Sequence, residues 1–384
     1  MAATRNNSKM PSGTSSGEKN NIRYAVVGLG YIAQGAVLPG FAHAENSNLV
    51  ALVSDDPVKL KKLGKQYGVA HAFSYDEYDD LLNSGLVDAV YIALPNNLHR
   101  DYTVRAARAG VHVLCEKPMA ITEKDCKVMM NAAQKHGVKL MIAYRLHFEK
   151  ANLLAVDIAR SGKLGEPRIF NSVFTMQVKE GNIRLQKELG GGTLYDIGIY
   201  CINAARYLFQ DEPIEVAAFC ANNGESRFQE VDEMTSVIMR FPDERLANFT
   251  CSFGAADVSS YRIVGTKGEL RVAPAYEYAE GLKHYLTVKG KTQERTFPQR
   301  DQFGAELYYF SECIQKNLDP EPSGSEGLAD IRVIRALYRS AQNGGKPVKL
   351  GNISRNKRPT MKQEIKRPAV HKPPLVNASP PSRE

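Results

Sequence analysis

The sequence predicts an α/β chain, with a doubly wound parallel sheet in its first half and an α+β second half. Two observations carry this. Between Arg23 and Ala143, short runs rich in Val, Ile and Leu (RYAVVG, LVALVS, DAVYIAL, VHVLC and KLMIA) alternate with amphipathic stretches such as Val58–Tyr67, His99–Ala109 and Thr122–His136. Strands that are apolar throughout, with helices between them, imply a parallel sheet buried on both faces. Its ligand is expected past the carboxyl ends of the strands. After about Leu146 the texture changes. A helical stretch, Phe148–Ser161, is followed by strand-like runs at Arg168–Gln177, Glu215–Cys220, Thr235–Phe241, Leu246–Phe253, Tyr261–Val264 and Glu269–Val272, with Pro-Asp-Glu and Thr-Lys-Gly turns among them. Strands in series point to a mostly antiparallel sheet. Helical patterns over Gln302–Lys316 and Gly327–Gln342 close the body.

At 384 residues, 43% hydrophobic and 24% charged, the chain has room for two domains and an ordinary globular balance. They are placed at 22–145 and 146–350, after a flexible leader (1–21) and before a basic, Pro-rich, disordered tail (351–384). The tail holds six of the nineteen prolines and is read as solvated rather than as a docking arm. The net charge of +8 belongs to these ends: Met1–Ile22 carries +2 and Gly351–Glu384 carries +6, leaving 39 basic and 39 acidic residues between them. A neutral body gives no reason to expect a nucleic-acid groove. No apolar run approaches the roughly 18 residues that cross a membrane. The six cysteines form no CxxC pair, so free thiols are expected, with no disulfide framework and no metal site. The first twenty residues lack the apolar core of a secretory signal, which makes the cytoplasm the expected address.

Four stretches carry residues suited to chemistry. Gly28-Leu29-Gly30-Tyr31-Ile32-Ala33 directly follows the first strand and opens a helix. Gly28 permits the tight turn, Gly30 a close backbone approach to a pyrophosphate, and Ala33 close helix–strand packing, with free helix N–H groups for the phosphates. The alternative is a merely structural turn. At the next strand tip, Ser54 and Lys59 suit the 2′-phosphate of NADP, while Asp55 suits the ribose of NAD; Asp55-Asp56-Pro57 also reads as a helix cap. NADP is favoured, with NAD possible. Lys117, in Glu116-Lys117-Pro118 after the fourth of these runs, stands where it can bond a substrate hydroxyl and lower its pKa, or simply pair with Glu116. Gly190-Gly191-Gly192 leads into Thr193–Tyr200, where Asp196 and Tyr200 share one helix face. That pairing suits proton transfer, although an Asp so near a helix start is often a cap. Leu94-Pro95-Asn96-Asn97-Leu98-His99 and Tyr144-Arg145-Leu146-His147 also reach the crevice, with His99 and His147 as shuttles or as packing residues. Side chains around Gln177–Gln186 and Tyr261 are expected near the substrate, in directions the sequence does not give.

GLGYIA, Ser54, LPNNLH, EKP, YRLH and GGGTLYDIGIY, in this order and at these intervals, resemble the Gfo/Idh/MocA oxidoreductase family over roughly Ile22–Leu350. The glucose–fructose oxidoreductase branch is the nearest, because that branch has tyrosine four residues after the motif aspartate, as Tyr200 is here, where most members have histidine. The Pro-rich arm and secretory leader of that branch have no match in the leader. The resemblance implies a Rossmann domain, then a substrate-binding domain with an open-faced sheet that assembles homodimers or homotetramers. It implies that Lys117, Asp196 and Tyr200 are catalytic. It places Gly28, Gly30, Tyr31, Ile32, Ala33, Ser54, Lys59, Leu94, Pro95, Asn96, His99, Glu116, Lys117 and Arg145 at the cofactor. The expected activity is NADP-dependent oxidation of a cyclic aldose, or the reverse reduction of a keto-sugar. The alternatives are NAD-assisted glycoside cleavage and a nucleotide-sensing regulator without catalysis.

Overall fold

The computed structural model describes residues 21–351 and 358–382. All but the last residue of the expected leader lies outside them. Six strands, β1 (Ile22–Val27), β2 (Ser47–Val53), β3 (His71–Phe73), β4 (Ala89–Ile92), β5 (His112–Glu116) and β6 (Leu140–Ala143), form the first sheet in the order β3-β2-β1-β4-β5-β6. Every pairing is parallel. The order reverses between β1 and β4, so the loops after these two strands diverge and open a crevice. β1, β4 and β6 are buried along almost their whole length, which is why they read as unbroken apolar runs. β3 is three residues long and half exposed, too short to register in the sequence pattern.

One face of this sheet is covered by a helix from far along the chain. Gln302–Gln315 packs Phe303, Leu307 and Phe310 into the core that holds Tyr24, Val26 and Leu52. The Tyr24 hydroxyl lies 2.8 Å from Ser311 Oγ, which also meets Ser47 Oγ at 2.7 Å. The sequence assigns that helix to the second half, where its own apolar stripe gives no hint of a remote partner.

The second sheet has nine strands: β7 (Pro167–Thr175), β8 (Glu215–Ala221), β9 (Met234–Phe241), β10 (Arg245–Ser252), β11 (Val258–Gly265), β12 (Gly268–Val272), β13 (Leu282–Val288), β14 (Lys291–Phe297) and β15 (Val348–Lys349). Their order is β14-β13-β12-β11-β7-β10-β9-β8-β15. All pairs are antiparallel except β7 with β10. Helices Lys150–Arg160, Ile199–Phe209 and Gly324–Gln342 cover one face. The other carries exposed Ile169, Val173, Ile238 and Leu246. The hairpin β13–β14 escaped the sequence reading because six of the seven β14 residues (KTQERTF) are exposed, without apolar alternation.

The expectation of a disordered tail is corrected for residues 358–382. This stretch is extended, as six prolines favour, but it lies on the body. Arg358 is buried, pairing with Glu212 and, at 3.6 Å, Glu326. Arg367 pairs with Glu45 at 2.8 Å. Ser382 forms an antiparallel bridge with Val178. Polar anchors substitute for the apolar periodicity that the sequence reading looks for.

Candidate active site

The crevice past the carboxyl ends of β1 and β4 is a cavity of about 860 Å³, walled by both sheets. Of the residues expected there, it brings together Gly28, Gly30, Tyr31, Ile32, Lys59, Leu94, Pro95, Asn96, Glu116, Lys117, Arg145, Asp196 and Tyr200. Ala33, Ser54 and His99 stand one layer behind the wall, all but inaccessible.

Gly28 follows β1 directly with φ +93°, and a Cβ there would lie 2.6 Å from the Ala93 carbonyl oxygen after β4. Only glycine fits where the two diverging loops touch. Gly30 is different: nothing lies within 4 Å of where its Cβ would stand. It faces the open cavity, with room for a closely held pyrophosphate. Among the described residues no side chain caps the helix that starts beside it, so its first N–H groups are left for an anion. At the tip of β2, both carboxylates serve the backbone. Asp56 caps the helix Pro57–Tyr67, accepting from the amides of Val58 (2.9 Å) and Lys59 (3.1 Å). Asp55 accepts from the Tyr75 amide at 2.9 Å. Ser54 Oγ accepts from the Asp56 amide at 3.2 Å. Lys59, one turn into the helix, lines the cavity. A cation at the wall, with the strand-tip carboxylates turned to backbone amides, fits the 2′-phosphate of NADP.

A charged cluster in the cavity is built around Lys117. Its ammonium donates to the Asp196 carbonyl at 2.9 Å and to Asp196 Oδ1 at 3.3 Å. Asp196 Oδ2 accepts from Arg184 Nε at 2.6 Å. Burial pushes the Asp196 carboxyl up, but the charges and hydrogen bonds of Arg184 and Lys117 outweigh it and hold the group at about 2. Asp196 is therefore ionised near neutral pH. Burial pushes Lys117 down, and nearby Tyr200, Asp196 and Glu116 more than offset it, so it keeps its charge. Two cations lie over the Tyr200 ring, with Lys117 Nζ 4.8 Å and the Arg145 guanidinium 5.0 Å from its centre. Arg145 is pinned by Gln302 and the Tyr276 carbonyl.

His99 takes the positioning reading. Its ring, fully buried, spans the carbonyls of Pro118 (2.8 Å) and Leu94 (2.9 Å) and so ties the loop carrying Lys117 to the loop after β4. Gly190 packs into the same junction, where a Cβ would meet Ile121 and Asn96 within 2.7 Å. His147 is buried on Asn203 (2.8 Å) and stacked on Tyr144, outside the cavity wall. Tyr261 is buried beneath Tyr276, which does reach the cavity. Arg184 is the charged residue that the sequence left without a role. It sits within Gln177–Gln186, and only folding shows that its partner is Asp196.

Two family models match this chain: the NAD-binding Rossmann-fold domain of the Gfo/Idh/MocA oxidoreductases over residues 22–144, and the Gfo/Idh/MocA C-terminal domain over 153–271. The chain belongs to the Gfo/Idh/MocA oxidoreductase family. It is 33% identical to the NADP-dependent D-xylose 1-dehydrogenase of Haloarcula marismortui over 330 residues, 84% of this chain and 92% of that one. It superposes on the aldose-aldose oxidoreductase of Caulobacter crescentus, solved with glycerol, with TM-score 0.82 and 42% identity, covering 86% of this chain and 100% of that one. The 3-ketoreductase KijD10 of Actinomadura kijaniata, solved with NADP and TDP-benzene, matches with TM-score 0.76 and 26% identity over 84% of this chain and 98% of that one.

Proposed function

We propose that this oxidoreductase moves hydride between NADP and the anomeric carbon of a cyclic aldose, producing a lactone, and that Lys117, Asp196 and Tyr200 serve the reacting hydroxyl. The observation that supports this best is the cluster itself: a charged lysine, a fixed carboxylate and a phenol meet in the cavity that the glycine loop borders. Bound NADP supplies the hydride acceptor. Tyr200, acting as the phenolate, takes the hydroxyl proton, Lys117 and Arg145 stabilise the negative charge growing on the sugar oxygen, and Asp196 with Arg184 holds Lys117 in place. The NADP-dependent xylose dehydrogenase and the aldose-aldose oxidoreductase among its relatives favour an aldose as substrate.

The open face of the second sheet supports assembly into a homodimer or homotetramer, since Ile169, Val173, Ile238 and Leu246 are uncovered there. The six free thiols are consistent with a reducing cytoplasm, and among the described residues no helix is long and apolar enough to cross a membrane.

The test is reduction of NADP⁺ and NAD⁺, followed by absorbance, across aldoses, polyols and inositols, with Lys117→Met alongside. Turnover with NADP⁺ and an aldose, lost in the variant, is the expected result. Turnover that survives in Lys117→Met refutes the assignment of Lys117. Nucleotide binding without turnover on any sugar returns the weight to a sensor.

A further inference from the structure

We propose that the C-terminal segment is a wall of the nucleotide site, and that residues 376–382 clasp NADP(H) by bridging the two halves of the protein across the cavity. This rests on the NADP reading above and adds to it a part of the chain outside both family models, which end at residue 271.

The segment is anchored before it reaches the cavity. Glu212, Glu326 and Asp330 are buried and share Arg206, which is wholly inaccessible. Arg358 brings a second guanidinium to Glu212 and Glu326. Three carboxylates around one cation leave an uncompensated buried charge, so the segment's first described residue answers an electrostatic need of the body. Glu364 then pairs with Arg300 (2.8 Å) and Lys150 (3.1 Å), and Arg367 pairs with Glu45. The Asp301 amide donates to the Pro368 carbonyl at 3.2 Å.

Beyond these anchors the chain runs along the cofactor loop. Lys372 Nζ stands 4.9 Å from the centre of the Tyr31 ring. Gln34, fully buried just behind the glycine loop, reads the backbone of Val376 at both ends: its Nε2 donates to the Val376 carbonyl at 2.9 Å, and its Oε1 accepts from the Val376 amide at 2.7 Å. Asn377 Nδ2 donates to Asp56 Oδ2 at 2.9 Å. The segment then crosses to the second half, where the Lys179 amide donates to the Pro381 carbonyl at 2.9 Å and Ser382 bridges Val178. Between the two attachments, Asn377, Ala378, Ser379, Pro381 and Ser382 line the same cavity as Gly28, Gly30 and Lys59. A dinucleotide on the glycine loop is thus enclosed on a third side. The prolines lower the entropy lost when this irregular stretch is laid down.

The prediction concerns release. A chain ending at Leu375 keeps Arg358, Glu364 and Arg367 and loses the attachments to Gln34, Asp56, Val178 and Lys179. Displacement of NADPH by excess NADP⁺, followed by NADPH fluorescence, is expected to be about tenfold faster or more from the shortened chain, equivalent to about 1.4 kcal/mol. Equal rates from both chains overturn the clasp and leave the NADP reading intact; no NADPH binding by either chain overturns both. If the shortened chain does not fold, hydrogen exchange in the full chain decides. With NADP⁺ bound, the amides of Val376 and Lys179 are expected to exchange at least about tenfold more slowly than without it, and unchanged exchange overturns the proposal.

Discussion

The cavity has two kinds of wall. On one side, β1, β4 and β5 end in loops that are locked to one another: Gly28 sits against the Ala93 carbonyl, and His99 spans the loops that carry Leu94 and Pro118. On the other side, residues 376–382 belong to no helix or strand and hang on a few polar contacts to Gln34, Asp56, Val178 and Lys179. Local opening free energies range from near zero up to the global stability, in proportion to what must come apart. The same cavity therefore has one wall locked into the core and another held by a few polar contacts alone.

The largest expected effect breaks the chemistry of the rigid wall alone. Lys117→Met keeps the length of the side chain and removes the charge that pairs with Asp196 and faces Tyr200. Turnover is expected to fall about 10³-fold, on the scale of losing one preorganised charge at a reacting oxygen. NADPH affinity is expected to stay within a few-fold, because the glycine loop and Lys59 are untouched. Steady-state kinetics with a fluorescence titration separates the two. A drop in nucleotide affinity as large as the drop in turnover would move Lys117 from the chemistry to the cofactor.

The second effect tests how far the C-terminal wall depends on its anchor. Arg358→Met leaves Glu212, Glu326 and Asp330 sharing Arg206, and a buried pair that loses one partner costs about 3 kcal/mol. Urea unfolding is expected to shift by that amount, and NADPH release to quicken with it because the segment is freed from its first contact. Lost stability with unchanged release would show that the attachments at 376–382 hold without the anchor.

The two walls also differ in how they are written in the sequence. The rigid wall is legible because each part has a local signature: apolar runs for strands buried on both faces, a glycine where φ is positive and a carbonyl lies close, a motif lysine after β5. The cluster at Asp196 was legible as to residue type but not as to direction. Nothing in Gln177–Gln186 tells that Arg184 turns to Asp196, because that contact joins a loop to a helix through tertiary packing. The C-terminal segment read as disordered for a physical reason: its docking is encoded by a buried arginine, a glutamine on another element and two backbone pairings, and none of these has a period. Its basic charge suggested solvation, yet Arg358 and Arg367 both find carboxylates on the body.

The third effect probes the contact that makes the first wall rigid. Gly28→Ala puts a Cβ 2.6 Å from the Ala93 carbonyl at φ +93°, a conformation that costs a non-glycine residue about 2 kcal/mol. The expected result is a lower unfolding midpoint and weaker NADPH binding together, since the loop must move for the methyl to fit. Gly30→Ala, with open space around the new methyl, is expected to leave stability nearly unchanged and weaken only the nucleotide. If both variants behave alike, the distinction between a structural and a ligand-facing glycine fails.

The smallest effect on the cavity comes from a residue remote from both walls. His284, on β13, is buried with its ring packed on Phe297, 4.7 Å between centres. Burial pushes its imidazole down from 6.5 to about 4. Between these values the unfolded chain binds a proton that the folded chain refuses, so stability falls as pH drops from 6.5 towards 4. The loss from this one group across that range is about 3 kcal/mol. His284→Gln cannot take up that proton. Urea unfolding at pH 7 and pH 4.5 is expected to show a smaller acid-side loss in the variant, with turnover and NADPH release both unchanged at pH 7. The variant thereby calibrates the others: it changes the global stability and its pH dependence while leaving both walls of the cavity as they are. If its NADPH release quickened as stability fell, release would follow global unfolding, and the opening of residues 376–382 would not be the separate event that their few contacts imply.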